Sequence, residues 1–233
     1  MRSYLLSLRR AEKHLSAADP KIARVIADTG RCALVPFWDR SPYESLVRAV
    51  AYQQLHANAA KAILGRMEAH FPGGEFPEPK RLANVKADAM RGFGFSAAKT
   101  TCILGIAAAA ARGLVPTREA AEAMTDDELI DRLSELRGIG RWTVEMLLIF
   151  TLGRLDVMPV DDYGVKVGLQ SLHGLTTLPK KGDFSQLTDH WRPYRSIGAW
   201  YLWREADRLK TVSKLKNTQP KETQPRPPRK RAN

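Results

Sequence analysis

Cysteine is nearly absent: Cys32 and Cys102 are the two in 233 residues. That count rules out a disulfide framework, a four-cysteine zinc site and a cysteine-ligated iron–sulfur cluster. With 44% apolar residues the chain can build a core without such staples, and a reducing compartment is the matching expectation. Long apolar runs are also missing, since no stretch approaches ~18 uninterrupted apolar residues. The first fifteen residues, MRSYLLSLRRAEKHL, interrupt their leucines with Arg and Lys before a signal-peptide core could form. The expectation is an intracellular protein with no membrane partner, cytoplasmic and nucleoid-associated if its source is bacterial. The five histidines show no ligand spacing, so no metal site is expected. Alternating apolar and polar runs are scarce, which argues against strands and for an all-α chain.

Acidic residues are too few to balance the basic ones, leaving a formal charge of +12. A polyanionic partner follows, and nucleic acid fits better than a membrane because no long basic amphipathic helix stands out. Much of the excess is local. Residues 210–233, KTVSKLKNTQPKETQPRPPRKRAN, carry a net +7 with four prolines and few large apolar side chains, so they read as a basic disordered tail behind a single domain at 1–209. Either a solubilising tail or a non-specific DNA-binding arm fits that composition.

Within 1–209 the punctuation is helical. Asp19-Pro20 opens a helix at Lys21–Thr29, and Ser41-Pro42 opens another through Leu46, Val47 and Val50 towards Gln53-Gln54-Leu55. A further helix is expected over about Ala59–His70. The cluster FPGGEFPEP (71–79) is a linker, followed by short helical pieces at 79–85 and 87–92 and a long Ala-rich helix at Ser96–Arg112. Thr125-Asp-Asp-Glu128 is a capping box. The last long helix, about Tyr194–Leu209, carries Trp200 and Trp203.

Chemistry concentrates in LSELRGIGRWTVEMLLIF (133–150), where Gly138 and Gly140 separate two amphipathic helices. Such a hairpin lets backbone approach a ligand, and unpaired N–H groups at the start of the second helix make a site for one phosphate. An ordinary tight αα-hairpin has the same pattern. About twenty positions on, Pro159-Val-Asp-Asp-Tyr-Gly-Val-Lys166 supplies paired carboxylates.

Taken together, GIGRWT (138–143), DVMPVDDYGVK (156–166) and HWRPYRSIGAWYLWR (190–204) resemble the helix-hairpin-helix DNA glycosylase superfamily, in its DNA-3-methyladenine glycosylase II branch. The resemblance spans roughly residues 17–209. It implies an all-α fold of two helical subdomains flanking an active-site cleft, without the extra N-terminal β-domain of some members. The implied activity is removal of flipped-out alkylated purines from duplex DNA; the same fold acting on uracil or an oxidised purine, or a non-catalytic DNA-binding module, are the alternatives. Damaged double-stranded DNA is the expected partner, a monomer the expected state, and no organic cofactor is expected. A monovalent cation on the hairpin carbonyls is a family trait that the resemblance brings with it.

Hydrolysis of an N-glycosidic bond passes through a cationic sugar that a carboxylate can stabilise. The spacing from Trp142 matches the alkylpurine branch without a gap at Asp162, which is the expected catalytic residue; Asp161 is the rival if the register slides, and either could simply cap the next helix. Trp142 and Trp203 are the expected walls of a pocket for an electron-poor cationic base, with Tyr163 and Gln54 as further substrate contacts. Leu55, with His56 next in line, is the expected wedge filling the gap left by the flipped base. Gly138, Gly140 and Arg141 are the expected DNA-backbone contacts. Lyase members carry a nucleophilic Lys where this chain has Trp142, so no strand cleavage is expected. Lys99 and Lys166 read as solvated charges or phosphate contacts.

Overall fold

Helix boundaries follow the capping residues. The computed structural model describes residues 2–218, and among them thirteen α-helices and two 3₁₀ turns account for the regular structure, with no strand. Helices α1 (Arg2–Ala18) and α2 (Pro20–Thr29) meet at Asp19, whose carboxylate accepts the Lys21 N–H at 2.8 Å. Pro20 occupies the first turn of α2, where a missing N–H costs nothing. Helix α3 (Pro42–Tyr52) is started in the same way by Ser41, whose Oγ accepts the Glu44 N–H. Next come α4 (Ala57–Ala69), α5 (Pro79–Ala83), α6 (Ala87–Phe93), α7 (Ala97–Ala111) and α8 (Arg118–Ala123). Helix α9 (Asp126–Ser134) begins at a complete capping box between Thr125 and Glu128. Then follow α10 (Arg141–Phe150), α11 (Tyr163–His173), α12 (Asp183–Thr188) and α13 (Arg195–Thr218).

These helices form the two expected subdomains. One is contiguous, with α3 packed on α7, α4 and α10, and α7 held by α5 and α6. The other joins both ends of the chain, because α1 and α2 pack on α13 and α13 on α11. Leu15, Ile22, Trp191 and Tyr201 are fully buried there, and each aliphatic side chain removed from water contributes about 1.5–3 kcal/mol before entropy is counted. The Tyr201 hydroxyl donates to Gly30 O at 3.0 Å and lies 3.2 Å from Glu12 Oε1, tying α13 to α1 and to the end of α2.

Between α11 and α13 the backbones come close together. A Cβ on Gly168 would stand 2.3 Å from the Leu202 carbonyl oxygen, so no larger residue fits without moving a helix. Gly164, one turn earlier on the same face, meets the Trp203 ring. Two boundaries differ from expectation. Helix α13 runs to Thr218, nine residues past Leu209, so the first part of the expected disordered tail is helical; residues 210–218 are helix-compatible and free of proline, and the prolines come only later. The rest of the tail, 219–233, lies outside the described residues. Helix α8, between the Ala-rich helix and the capping box, has no strong periodic signal in the sequence and was not expected from it. Among the described residues no single helix is long and apolar enough to cross a membrane.

Candidate active site

The turn between α9 and α10 is a helix-hairpin-helix. Gly138 has φ +83°, a conformation that favours glycine, and a Cβ there would also lie 2.7 Å from Cys102 Sγ. Beneath it, the buried Cys102 thiol donates to Arg137 O. Gly140 is the N-cap of α10 and has no side chain to cap with, so the first N–H groups of the helix are left for a ligand. Gly138, Gly140 and Arg141 are all exposed. The turn offers carbonyl oxygens as well. Leu136 O accepts the Ile139 N–H and keeps a second lone pair that a monovalent cation would use, whereas Arg137 O is turned to the buried Cys102 thiol. Among the described residues no group of His, Cys, Asp and Glu is arranged to hold a metal ion.

Trp142 projects from the first turn of α10, and its indole N–H donates to Asp162 Oδ2 at 2.8 Å. Trp203, on α13, donates to the other oxygen, Oδ1, also at 2.8 Å. Oδ1 in addition accepts the Val165 N–H at 2.9 Å, so Asp162 caps α11 while it is gripped by both tryptophans. Three elements far apart in sequence thus converge on one carboxylate, and the face of α11 that carries Gly164 and Gly168 is what lets α13 bring Trp203 close enough. Asp161 has a different environment: its side chain is 56% exposed and pairs with Lys166 at 3.8 Å. Lys166 is therefore engaged with Asp161, and the adjacent carboxylates serve separate ends.

Trp142, Met146 and Phe150 recur every fourth residue of α10 and so share one face. Phe150 stacks on Trp203, ring centroids 5.4 Å apart and planes inclined by 28°. Met146 and Phe150 line a cleft of about 360 Å³ together with Tyr52, Arg48 and Phe37. Arg48 is occupied by Glu44 and Glu68, each at 2.7 Å, which leaves the lining largely apolar and aromatic. Met146, Phe150 and Tyr52 are not among the residues expected from the sequence; the four-residue repeat from Trp142 was the available signal. A larger cavity of about 700 Å³ opens on the other flank of α10, beside Arg141, Glu145 and Leu148. Its carboxylates Asp156 and Asp189 are paired with Arg192 and Arg195, and Arg141 donates to the buried Glu145 at 3.0 Å. Burial pushes the Glu145 carboxyl up against the opposing pull of Arg141. This cavity is walled by internally neutralised charge, whereas the smaller cleft is aromatic and connects to Asp162 through the stack of Phe150 on Trp203, so the smaller cleft is the better candidate.

The other expected residues fall into two groups. Gln54 and Leu55 stand together at an exposed turn between α3 and α4, where Gln54 adopts φ +55° and Leu55 is 39% exposed. Tyr163 departs from expectation: it is 68% exposed and lines a shallow groove with Val167, Ala206 and Leu209 rather than the aromatic cleft. The first residue of α11 turns its side chain outward because Gly164, not Tyr163, faces Trp203. Lys99 is neither solvated nor free, since its ammonium donates to two backbone carbonyls at the end of α3.

Comparison with known proteins places this arrangement. DNA-3-methyladenine glycosylase 1 of Schizosaccharomyces pombe is 43% identical over 91% of this chain and 94% of its own length. A solved structure of the S. pombe 3-methyladenine DNA glycosylase in complex with abasic DNA superposes with a TM-score of 0.74 at 44% identity, covering 84% of this chain and 95% of that one. A DNA-3-methyladenine glycosidase from Bacillus halodurans gives 0.77 at 32% identity over 86% and 91%. Residues 47–193, which hold the exposed turn, the hairpin and Asp162, match the model described as HhH-GPD superfamily base excision DNA repair protein, and the chain belongs to that superfamily.

Proposed function

We propose that this protein is a monofunctional DNA glycosylase that removes alkylated purines of the 3-methyladenine type at the start of base excision repair, with Asp162 as its catalytic residue. One observation carries the reading: a carboxylate held by two indole N–H groups and a helix N-terminus, and joined through Trp203 to the Phe150 wall of an aromatic cleft. The relatives named for 3-methyladenine point to the same substrate class.

Duplex DNA lies against the hairpin, whose unpaired N–H groups at the start of α10 take a phosphate, with Arg141 beside them. Leu55 enters the stack as the lesion leaves it, with Gln54 beside it to contact the flipped nucleotide. The flipped base rests against the Trp142–Met146–Phe150 face, where a cationic alkylpurine gains about 0.5–2 kcal/mol from an aromatic surface. An alkylated purine is already a good leaving group. The C1′–N bond breaks with its electron pair going to the base, and the negative charge of Asp162 opposes the cation that develops on the sugar. Water then adds at C1′ and loses its proton, leaving an abasic site. Asp162 is fixed in place by Trp142 and Trp203, so no reorganisation is needed as charge develops. Trp142 has no amine, so no Schiff base forms and the DNA backbone stays intact. The chain acts as a monomer.

The test is base release from a panel of defined lesion duplexes without metal or nucleotide, with sodium borohydride present in a parallel reaction. Free 3-methyladenine or 7-methylguanine and no trapped covalent adduct are expected. Release of only uracil or an oxidised purine would refute the alkylation reading, and a substantial adduct would refute monofunctionality.

A further inference from the structure

The turn that carries Gln54 and Leu55 has little of its own to hold it. Helix α3 ends at Tyr52, and an α-helix leaves its last four carbonyls without intrahelical partners. Here Ala49 O and Val50 O take the Gln53 N–H, and Tyr52 O takes the Leu55 N–H at 3.3 Å. Gln54 sits in the left-handed region, which a side chain rarely adopts, and Gln54, Leu55 and His56 are all exposed. No core packing therefore defines the conformation from which Leu55 projects.

What does define it comes from another helix. Lys99 lies in the first turn of α7, next to Ser96, which caps that helix. Its Nζ donates to Ala51 O at 2.8 Å and to Gln53 O at 2.6 Å, bracketing the turn from both sides of Tyr52. An ammonium has three donors, so two are committed to this turn. Its positive charge also faces the C-terminal, negative end of the α3 dipole. The side chain is half-buried.

We infer that Lys99 is a positioning residue for base flipping, fixing the Gln53–Gln54–Leu55 turn so that Leu55 enters the DNA stack ready-shaped. The inference rests on the proposed glycosylase reading for its purpose and on the two hydrogen bonds for its geometry. Loss of the ammonium leaves Ala51 O and Gln53 O to water and lets the turn relax from its left-handed residue. The bond-breaking machinery around Asp162 is on other elements and stays intact. Tyr52, between the two bonded carbonyls, also lines the aromatic cleft, so the rate penalty is largest where a wedge is needed and small where it is not.

The experiment uses the full chain and two duplexes with one 7-methylguanine, either paired with cytosine or in a single-nucleotide bulge that is already unstacked. Variants are Lys99→Met, which keeps the stem and removes the donors, Lys99→Arg, which keeps them, and Leu55→Ala. Lys99→Met should slow single-turnover excision from the paired duplex on the order of 10- to 100-fold, as a misplaced group does, and from the bulge less than about 3-fold. Lys99→Arg should recover most of that rate. Lys99→Met combined with Leu55→Ala should be no slower than the worse single variant, because both act through one event. Equal slowing on both duplexes with a lowered Tm would make Lys99 merely structural, and full activity of Lys99→Met would also overturn the inference. A 2-aminopurine placed beside a stable abasic analogue reports unstacking without catalysis. If the unaltered protein released no base at all, the glycosylase reading would fall, while unstacking abolished in Lys99→Met would still uphold the role of Lys99.

Discussion

Replacing Asp162 by asparagine separates its two duties. Asparagine caps helices as well as aspartate does, so the start of α11 should survive. The amide nitrogen must occupy one of the two oxygen positions. At Oδ1 it would oppose two donors, Trp203 Nε1 and Val165 N, whereas at Oδ2 it opposes only Trp142 Nε1. The second orientation wins, and the bond to Trp142 becomes a clash between two donors. Trp142 is 42% exposed, so water can satisfy its N–H once the ring tilts, which limits the cost to about 1 kcal/mol. For a chain of this length that lowers Tm by roughly 2–4 °C. The rate should fall much further, by about 10²–10³ in single-turnover excision, because a preorganised charge opposite the sugar cation is gone. Binding to an abasic analogue should largely persist. Asp161→Asn removes only an exposed pair with Lys166, worth about 0–1 kcal/mol, and its rate should hardly change. Melting curves and single-turnover rates for both variants decide the matter. A stable, inactive Asp161→Asn beside an active Asp162→Asn would refute the assignment.

Gly168→Ala drives a Cβ into the Leu202 carbonyl and should cost about 1–3 kcal/mol, or roughly 2–12 °C in Tm, with excision falling as Trp203 is displaced; the exposed helical Gly105, with open space around it, should instead tolerate Ala with a gain of about 0.5–1 kcal/mol in thermal denaturation. Glu205 is held below the usual carboxylate range by its hydrogen bonds to Arg208 and then to Ser171, so it stabilises the fold fully above the unfolded value of about 4.3 and ceases to do so as pH falls through its lower folded value. The Tm gap between the unaltered protein and Glu205→Gln should therefore be widest near neutrality and close on acidification below about pH 4; a gap independent of pH would refute this. Deleting residues 219–233, which carry a net +4, should weaken binding to undamaged duplex and flatten its log–log salt dependence by about 0.9 for each phosphate no longer neutralised, whereas an unchanged slope would leave the segment a solubilising one.

The parts of the site that lie within one stretch of chain are the legible ones. Gly138, Gly140 and Trp142 announce the hairpin, and the gap-free step from Trp142 favours Asp162 over Asp161; in the structure Asp162 accepts from the Trp142 indole while Asp161 pairs with Lys166. Proline and serine at helix starts locate α2 and α3 to within a residue. Lys99 reads as a surface charge in the sequence because its partners lie 46 and 48 positions away, beyond the reach of any local pattern. Gly164 and Gly168 give no signal for a related reason: small residues four apart mean nothing until a second helix is laid across them. Tyr163 belongs to the pocket only if its neighbour's importance is extended to it, whereas consecutive helical residues point about 100° apart and cannot both face Trp203.

The subdomain built from both ends of the chain has a consequence for synthesis. Helices α3 to α10 are continuous in sequence and can assemble once residue 150 has left the ribosome, since chains fold in units from the N-terminus. Helices α1 and α2 emerge first yet must wait for α11 and α13, the last to appear. Trp203 reaches Asp162 only when that wait ends. The hairpin can thus take shape well before the active site is complete, and the full grip on Asp162 is withheld until α13 has been made.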